Sequence, residues 1–266
     1  MALCTVYDQA VERVRGKDTE QLIQLLWHED VLTQCLAIER LVNKGAALAV
    51  PHLVSLTERT KSPGVREKLA WALGVIGDSQ AVPTLINILQ SDTHNRHARR
   101  AAAEALGKIA DRQAVPALIY AVAAHRGWRD EGVPEAAAWA LGVIGDPQAV
   151  PVLIQALRDS NKKICCAAAE ALGKIGDSQV VPPLIEVVWA GDKAGEIAKK
   201  ALLQLPPAAF KPVLSHPSAY TRMAACELLG EIGGSEVIAM LTEVVARDTS
   251  WQVRREAAAS LVKIFG

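Results

Sequence analysis

The tripeptide Ala-Leu-Gly recurs through the sequence at a nearly constant interval, and this repeat constrains the fold more than any other feature. Intact copies lie at 72–74, 105–107, 140–142 and 171–173. Degenerate copies lie near residues 42, 203, 230 and 262, so neighbouring copies are about 27 to 35 residues apart. Self-similarity at this period is typical of proteins built by stacking one supersecondary unit. The chain is therefore predicted to be a stack of similar units.

Each unit divides into two helices joined by a turn of fixed sequence. In one copy, apolar residues fall on a single helical face, at Ile164, Ala168, Ala171, Leu172 and Ile175. The turn Gly-Asp-x-Gln-Ala/Val-Val-Pro occupies 77–83, 145–151 and 176–182. Glycine tolerates the left-handed conformation that ends a helix, aspartate caps the next helix, and proline suits a first turn. The pattern predicts a helix, a capped turn and a second helix.

One such pair cannot bury both of its helices, but stacked pairs form a continuous core. The sequence predicts a weak starting unit at 5–28, a closing helix at 249–265, and two-helix units at 30–57, 62–90, 94–124, 131–158, 161–190, 193–214 and 217–247. We expect Arg254, Arg255 and Glu256 to make the closing helix a polar cap. The expected fold is an all-α, right-handed α-solenoid with about seven full repeats plus capping helices, formed by residues 1–266 as a single domain.

Arginine recurs at one repeat position. The four copies are Arg66, Arg99, Arg222 and Arg254. A guanidinium group carries several donors in a fixed fork, so we expect these side chains to bond the turns between neighbouring units. Pro134 and Cys165 interrupt the series, and the middle units are expected to lack this support.

Residues 62–190 follow the pattern Ala-Ala-x-Ala-Leu-Gly-x-Ile-Gly-Asp-x-x-Ala-Val-Pro-x-Leu-Ile. This pattern resembles the HEAT-like two-helix repeats of the phycobilin lyase (E/Z-type lyase) family of cyanobacteria. The resemblance implies a role in attaching, moving or detaching open-chain tetrapyrroles on phycobiliproteins, or in phycobilisome breakdown, as in some relatives. It implies a phycobiliprotein or a second HEAT-repeat subunit as partner, and phycocyanobilin as a ligand or substrate, with no cofactor required. It supplies no catalytic motif, so the catalytic residues stay unknown.

The charge balance argues against nucleic acid as the partner. Lys and Arg together number 29, as do Asp and Glu, whereas duplex-binding proteins usually carry a basic excess. No run of apolar residues is long enough for a transmembrane helix, so no membrane insertion is expected. The first residues lack a basic start followed by an apolar run, which favours a cytoplasmic protein.

The cysteines and histidines do not follow a metal-binding pattern. The five cysteines show no Cys-x-x-Cys spacing and are expected to be free thiols. A diiron HEAT-repeat enzyme of the deoxyhypusine hydroxylase type needs several His-Glu pairs, and this sequence has one, His28-Glu29. We therefore predict no metal site.

Along the first helix of each unit, one stripe of positions avoids the core. The resemblance places this stripe on the concave surface of a solenoid. Glu/Lys pairs four residues apart alternate there with Trp/Val pairs. Exposed apolar side chains cost solubility unless a partner covers them, and tryptophan is enriched at binding hot spots. The candidate partner- or bilin-binding residues on the stripe are Trp71, Val75, Glu104, Lys108, Trp139, Val143, Glu170 and Lys174.

The stripe residues can also be explained by the structure alone, without a binding role. Glu/Lys pairs of this kind usually form a solvated face, and the tryptophans belong to the core if they pack flat against neighbouring helices. Trp128 is a further candidate for binding because it lies in the long connection at 124–133, and loops on a rigid scaffold often carry function.

Three functions are compatible with the sequence. The first is a non-catalytic scaffold that binds a phycobiliprotein or phycobilisome client through the concave face. The second is a bilin lyase or bilin-detaching subunit, with tetrapyrrole rings on Trp71 or Trp139 and propionates at Lys or Arg. The third is an adaptor or assembly factor of another system, since a fold does not determine a function. No nucleophile–base pair is visible, so the sequence does not establish an enzyme.

Overall fold

The computed structural model describes residues 2–91, 95–124, 131–189 and 191–266. Over these residues the chain forms helices and turns and no β-strand. It divides into two compact units, Met1–Ile144 (unit 1) and Gly145–Gly266 (unit 2). No helix within the described ranges is long and apolar enough to cross a membrane. The all-α fold predicted from the repeat is confirmed.

Unit 1 consists of helices in two layers. First helices pack side by side in sequence order, and each second helix packs against the first helix that follows it. The first helices are α1 (Ala2–Val14), α3 (Val31–Asn43), α5 (Pro63–Ile76), α7 (Arg96–Ile109) and α9 (Val133–Ile144), and the second helices are α2 (Thr19–Leu25), α4 (Val50–Arg59), α6 (Val82–Ser91) and α8 (Val115–Ala123). Leucines from both layers, including Leu53, Leu73, Leu85 and Leu106, are fully buried between them.

The turn within a pair follows the predicted glycine–aspartate motif with one difference. After α5, Gly77 adopts a left-handed conformation with φ of 78°, which glycine reaches without strain. The Asp78 carboxylate accepts a 2.9 Å hydrogen bond from the backbone N–H of Gln80. That bond caps a short 3₁₀ turn, Ser79–Ala81, which leads into α6, whereas the sequence predicted a cap on the second helix itself. The 3₁₀ turn lies between Asp78 and α6. Pro83, in the first turn of α6, has no backbone N–H that a cap would need to satisfy.

The repeated glycine lets neighbouring first helices touch. A Cβ atom added at Gly74 in α5 would lie 2.5 Å from the Cβ of Ala105 in α7, and one at Gly107 would lie 2.8 Å from the Cβ of Ala140 in α9. These distances are well inside van der Waals contact, so a larger residue would force the helices apart. The second helices α6 and α8 pack less closely. The first helices therefore form the tighter layer of unit 1.

Unit 2 has the same two-layer arrangement. Its first helices are α11 (Lys162–Ile175), α13 (Lys193–Leu203), α14 (Ala219–Ile232) and α16 (Trp251–Phe265), and its second helices are α10 (Val150–Ala156), α12 (Val181–Val188) and α15 (Ser235–Arg247). Leu153, Leu172, Leu184, Leu229 and Leu241 are fully buried and form its core.

The two-helix unit predicted at 193–214 lacks its second α-helix. Pro206, Pro207 and Pro212 remove backbone donors within a short segment, so continuous α-helical hydrogen bonding is not possible there. The segment forms two 3₁₀ turns instead, Pro207–Phe210 and Val213–Ser215. The fully buried ring of Phe210 supplies the core contact that a helix would have made. The prediction of a regular pair was wrong at this unit.

The spacing of the first helices also changes at this point. In α11, a Cβ added at Gly173 would lie 2.5 Å from the Cβ of Ala201 in α13. Leu203 occupies the corresponding glycine position in α13, and α13 packs less closely on α14 than α11 packs on α13. Leucine thus stands where the tight junctions have glycine, and α14 makes contacts with α12 as well.

The recurring arginines bond backbone carbonyls of the segments that lead into their own helices, as predicted. The Nη2 of Arg66, for example, donates to the carbonyl of Thr60 after α4 at 2.8 Å. Cys165 was expected to break this series, yet its Sγ donates to the carbonyl of Leu157 at 3.1 Å. A thiol therefore replaces the guanidinium at the start of α11, and the expectation was wrong for Cys165.

Helix α16 does not present the polar cap predicted for it. The Nη1 of Arg254 turns back and donates to the carbonyl of Asp248 at 2.7 Å. The outer side of α16 exposes Trp251, Val262 and Phe265 to 58%, 72% and 72%. The predicted cap was wrong because, of the three charged residues at 254–256, helical spacing places only Arg255 near the middle of this side.

Candidate functional site

The tryptophan at the centre of the predicted stripe lies in α5 beneath a lysine. Trp71 is partly exposed, and the Lys68 ammonium lies 4.6 Å from the centroid of its ring, within cation–π range. Lys68 also forms a 2.9 Å ion pair with Glu39 of α3. The lysine is thus held between a carboxylate on one helix and an indole on its own.

Trp71 forms part of a groove that spans α3, α5 and α7. The groove has a volume of about 490 Å³, which is within the range of small-ligand sites. It is lined by Cys35, Gly64, Glu67, Lys68, Trp71, Ala101, Glu104, Ala105 and Lys108. Three predicted site residues, Trp71, Glu104 and Lys108, therefore meet in one place. The glycine and alanines leave the space open because they extend no further than Cβ.

The four-residue spacing of Glu104 and Lys108 indicated an ion pair, but Glu104 does not pair with Lys108. Its Oε1 accepts a 2.8 Å hydrogen bond from the Nε of Arg100, one turn earlier on α7. This hydrogen bond is the main reason that the pKa of Arg100 is raised, and the charges of Glu135 and Glu67 act in the same direction. Within the described residues, the exposed Lys108 forms no ion pair. Its ammonium is therefore available at the groove.

Trp139 occupies the repeat position of Trp71 but takes part in helix packing. A Cβ at Gly107 would lie 2.5 Å from the Cζ3 of the Trp139 ring, so the indole lies directly against the backbone of α7. The rest of the side chain is partly exposed. Val75 and Val143, one turn beyond the two tryptophans, are 46% and 39% exposed. Trp139 is thus both a packing residue and part of the surface.

The remaining predicted site residues lie elsewhere. Glu170 and Lys174 are exposed residues of α11 in unit 2, and no ion pair joins them in the described part of the chain. Their positions agree with the solvated-face interpretation. Trp128 lies outside the described residues.

Cys35 and Glu67 line the groove but were not among the predicted site residues. They share one repeat position, seven residues before the glycine position, beside the stripe. A comparison of the residues at that repeat position in each unit would have identified them. Burial raises the pKa of the Cys35 thiol, against the opposing effect of the Lys68 charge. The thiol is therefore protonated at neutral pH and is a weak nucleophile.

A second aromatic surface, in unit 2, was also missed. The rings of Trp189 and Tyr220 lie 5.4 Å apart between centroids and are 51% and 45% exposed. Trp189 lines a smaller groove, of about 200 Å³, with residues of α12, α13 and α14. This groove lies where α13 and α14 pack less closely than the other neighbouring first helices of unit 2. A regular repeat does not bring α12, α13 and α14 together in this way, so the repeat pattern did not predict this groove.

The groove of unit 1 carries groups suited to binding. It offers an indole, the ammonium groups of Lys68 and Lys108, and a floor of small residues. Such a site can hold an apolar or aromatic surface that carries negative charge. No cluster of three or more His, Cys, Asp or Glu that could hold a metal ion occurs within the described ranges.

A family model for HEAT repeats matches the chain at residues 19–96, 50–129, 128–205 and 207–266. The chain belongs to the HEAT-repeat family. The helix pairs described above are therefore HEAT repeats, and the matched segments include both units. No protein of curated function has a sequence that matches the chain.

Several solved structures are similar to the chain over most of its length. One is the complex of CpcE and CpcF of phycocyanin lyase from Nostoc sp. PCC7120, with 25% identity, coverage of 94% of this chain and 95% of that chain, and a TM-score of 0.53. YibA of Escherichia coli has 19% identity, coverage of 97% and 96%, and a TM-score of 0.54. Importin beta has 14% identity, coverage of 96% and 42%, and a TM-score of 0.55. The last two show the fold alone.

These comparisons confirm two predictions from the sequence. The chain is an α-solenoid protein of HEAT repeats. It also resembles a phycobilin lyase-type HEAT-repeat protein, as the repeat pattern indicated.

Proposed function

We propose that the chain is a protein-binding scaffold that holds a phycobiliprotein client on the first-helix surface of unit 1. We define this surface as Lys68, Trp71, Val75, Glu104, Lys108, Trp139 and Val143. The observation that carries the proposal is the groove at Trp71, where a partly exposed indole lies beneath the Lys68 ammonium and Lys108 lines the same groove. The likeness to the CpcE and CpcF complex of phycocyanin lyase supports the choice of client.

The physical properties of this surface suit a protein partner. Trp71 offers a large contact area at low conformational cost, because Lys68 and Glu39 already restrict its surroundings. Val75 and Val143 add exposed apolar area on the same layer. The first helices are also the more tightly packed layer of unit 1, as the inner layer of a curved stack must be, which supports binding on a concave face.

The volume and lining of the groove favour a second candidate, a bilin lyase or bilin-detaching subunit with phycocyanobilin as its ligand. The pyrrole rings would stack on Trp71, and the propionates would meet the ammonium groups of Lys68 and Lys108. In this role the groove binds and orients the tetrapyrrole. The protonated Cys35 thiol does not favour a covalent intermediate with the chain itself.

One experiment separates the two candidates. The pure chain is incubated with phycocyanobilin and with apo- or holo-phycobiliprotein, and visible spectra are recorded along a size-exclusion profile. Co-elution without spectral change is expected for a scaffold. Transfer or release of the bilin supports the lyase candidate. If neither occurs, both are wrong and the repeat serves another system.

A matched pair of variants tests whether the surface is responsible. Trp71→Ala should abolish co-elution, whereas Trp27→Ala should leave it unchanged. Trp27 is a suitable control because it is also partly exposed, at 41%, and also lies beneath a cation, with Arg59 5.2 Å from its ring centroid. Equal loss of binding in both variants would contradict the proposed surface.

A further inference from the structure

The groove at Trp71 contains two lysines, and only one of them already has a charged partner. The Lys68 ammonium lies 2.9 Å from a carboxylate oxygen of Glu39 and 4.6 Å from the centroid of the Trp71 ring. The Lys108 side chain is exposed and forms no ion pair with any described residue. An anionic group that enters the groove must compete with Glu39 for Lys68, whereas it can reach Lys108 directly. Lys108 is therefore the cation that a ligand meets first.

The carboxylate nearest to Lys108 along α7 is compensated by Arg100. Glu104 lies four residues before Lys108, in the order that favours an ion pair on a helix. It nevertheless accepts its 2.8 Å hydrogen bond from the Nε of Arg100, and the Arg100 side chain lies close to the backbone at Gly132, where an added Cβ would be 3.0 Å from its Cδ. Arg100 does not line the groove. It controls the charge of the groove only through Glu104.

The other carboxylate that lines the groove lies at the opposite end from Lys108. Glu67 occupies in α5 the repeat position that Arg100 occupies in α7, and its charge acts on Arg100. Positions 100 and 108 are about 12 Å apart along a helix axis, which is more than the screening length at physiological ionic strength. Positive charge therefore remains at the Lys108 end of the groove.

The equivalent stretch of α11 shows what Arg100 adds. Positions 100, 104 and 108 of α7 carry Arg, Glu and Lys, whereas the matching positions of α11 carry Cys166, Glu170 and Lys174. Burial raises the pKa of the Cys166 thiol, so the thiol is uncharged at neutral pH. The charges of Glu170 and Lys174 then sum to zero, while the stretch in α7 keeps one positive charge. The two helices differ at this single charged position.

We propose that Arg100 is a positioning residue for the groove. By holding Glu104, it leaves Lys108 to bind a carboxylate whose apolar neighbour lies on Trp71. The inference rests on the proposed function and names the ligand class of the same site. Lys108 lies one turn beyond the level of Trp71 in the repeat, so the carboxylate and the apolar group should be roughly 6 Å apart along the helix direction. A bilin propionate and an acidic side chain beside an aromatic residue of a client both have this chemistry.

A small aromatic carboxylate tests the ligand class without a client. Naphthylacetate and the uncharged naphthylethanol are titrated into the full chain, and isothermal titration calorimetry gives both dissociation constants. The wild type should prefer the carboxylate, and Trp71→Ala should weaken binding of both probes. Arg100→Met should weaken binding of the carboxylate by roughly two- to fivefold at low ionic strength and leave the alcohol unchanged. A wild type without this preference, or a variant that loses both probes equally, would overturn the proposal.

A second substitution distinguishes positioning from a structural role of Arg100. Adding Glu104→Gln to Arg100→Met should restore the affinity for naphthylacetate, because glutamine keeps the length of the side chain and removes the uncompensated charge. If Arg100 only stabilises α7, the double variant should bind no better than Arg100→Met. Failure of this rescue would therefore contradict the role assigned to Arg100.

A matched pair of lysine variants locates the carboxylate. Lys108→Met should abolish the preference for naphthylacetate over the alcohol. Lys174→Met, at the same repeat position in α11, should keep it. Both lysines lie in the last turn of a first helix, so a general effect on helix stability is the same in the two variants. Equal effects on the preference would show that Lys108 does not bind the carboxylate.

Phycocyanobilin and its dimethyl ester separate the two sources of the carboxylate. If a bilin propionate is the source, Lys108→Met should weaken binding of the free acid and not of the ester. If the source is an acidic side chain of the client, Lys108→Met should weaken only co-elution with the phycobiliprotein. A chain that shows the probe preference but binds no client would contradict the proposed function alone. Client and bilin binding that Arg100→Met leaves unchanged would contradict the role of Arg100 alone.

Discussion

Arg222 and Asp248 form an ion pair of two hydrogen bonds that joins α14 to the end of α15. The guanidinium donates from Nε to Oδ2 at 2.7 Å and from Nη2 to Oδ1 at 2.9 Å. The side chains are only 11% and 6% exposed. The carboxylate of Asp248 also accepts from the backbone N–H of Ser250, and its carbonyl accepts from Arg254. One aspartate therefore links three helices of unit 2.

Asp248→Asn should lower the free energy of unfolding by about 2 to 3 kcal/mol at neutral pH, because it leaves Arg222 largely buried without its counter-ion. Urea denaturation followed by circular dichroism measures this change. Glu243→Gln is the matched control, since Glu243 forms a 2.9 Å ion pair with Arg247 whose side chains are 66% and 79% exposed. That change should cost less than about 0.5 kcal/mol. Equal losses would contradict the importance of burial.

The same ion pair predicts how stability depends on pH. The hydrogen bond from Arg222 holds the pKa of Asp248 below its ordinary value. A lowered pKa contributes stability that is fully present above the unfolded-state pKa of about 3.9 and is lost as the pH falls through the folded-state pKa. The difference in unfolding free energy between wild type and Asp248→Asn should thus be constant from about pH 7 to 5 and decrease below about pH 4. A difference that increases in acid would be inconsistent with this linkage.

Gly74→Ala should destabilise unit 1 by about 3 kcal/mol, because the added Cβ would lie 2.6 Å from the backbone Cα of Ala105, which cannot easily move. Gly64→Ala is the control on the same helix, since no heavy atom lies within 4 Å of its added Cβ. That variant should be neutral or stabilised by about 0.5 kcal/mol through the helix propensity of alanine. The melting temperature should fall for Gly74→Ala and should stay the same or rise for Gly64→Ala, and a stable Gly74→Ala would show that the first helices can separate.

The two tryptophans of the first-helix surface should differ in their effect on stability. Trp139→Ala should cost about 2 to 3 kcal/mol, because the indole packs directly on the backbone at Gly107. Trp71→Ala should cost about 1 kcal/mol, because that ring lies at the open groove beneath Lys68. Chemical denaturation of the two variants measures the difference. A larger loss at Trp71 would mean that it belongs to the core rather than to a binding surface.

Cys226 should be the least reactive thiol of the described cysteines. It is fully buried, and desolvation raises its pKa to about 12, so at pH 8 its thiolate fraction is on the order of one in ten thousand. Cys35 and Cys166 are partly exposed and should react with iodoacetamide first. Mass spectrometry of native and urea-treated protein would follow this order. Labelling of Cys226 in the native state at the rate of Cys166 would contradict it.

The sequence predicted the repeat, its helices and its turns because each copy carries its own local signals. Gly77 and Asp78 act within a few residues of their position in the chain, so their roles could be inferred without the fold. The partner of Glu104 could not, because Arg100 and Lys108 are both one turn away and only the packing of α7 decides between them. The surface character of α16 was likewise hidden, since it depends on which face the neighbouring helices leave uncovered.

We expect unit 2 to unfold as two cooperative blocks that meet between α13 and α14, near Leu203. In a stacked protein, stability is approximately the sum of intrinsic terms and couplings between neighbours. The coupling between α13 and α14 is weak, whereas α14 to α16 are coupled through Gly230 and the Arg222–Asp248 pair. Amide protons in α14 to α16 should therefore exchange through an opening separate from that of α10 to α13. If so, a leucine in a glycine position marks the site at which the two blocks open independently.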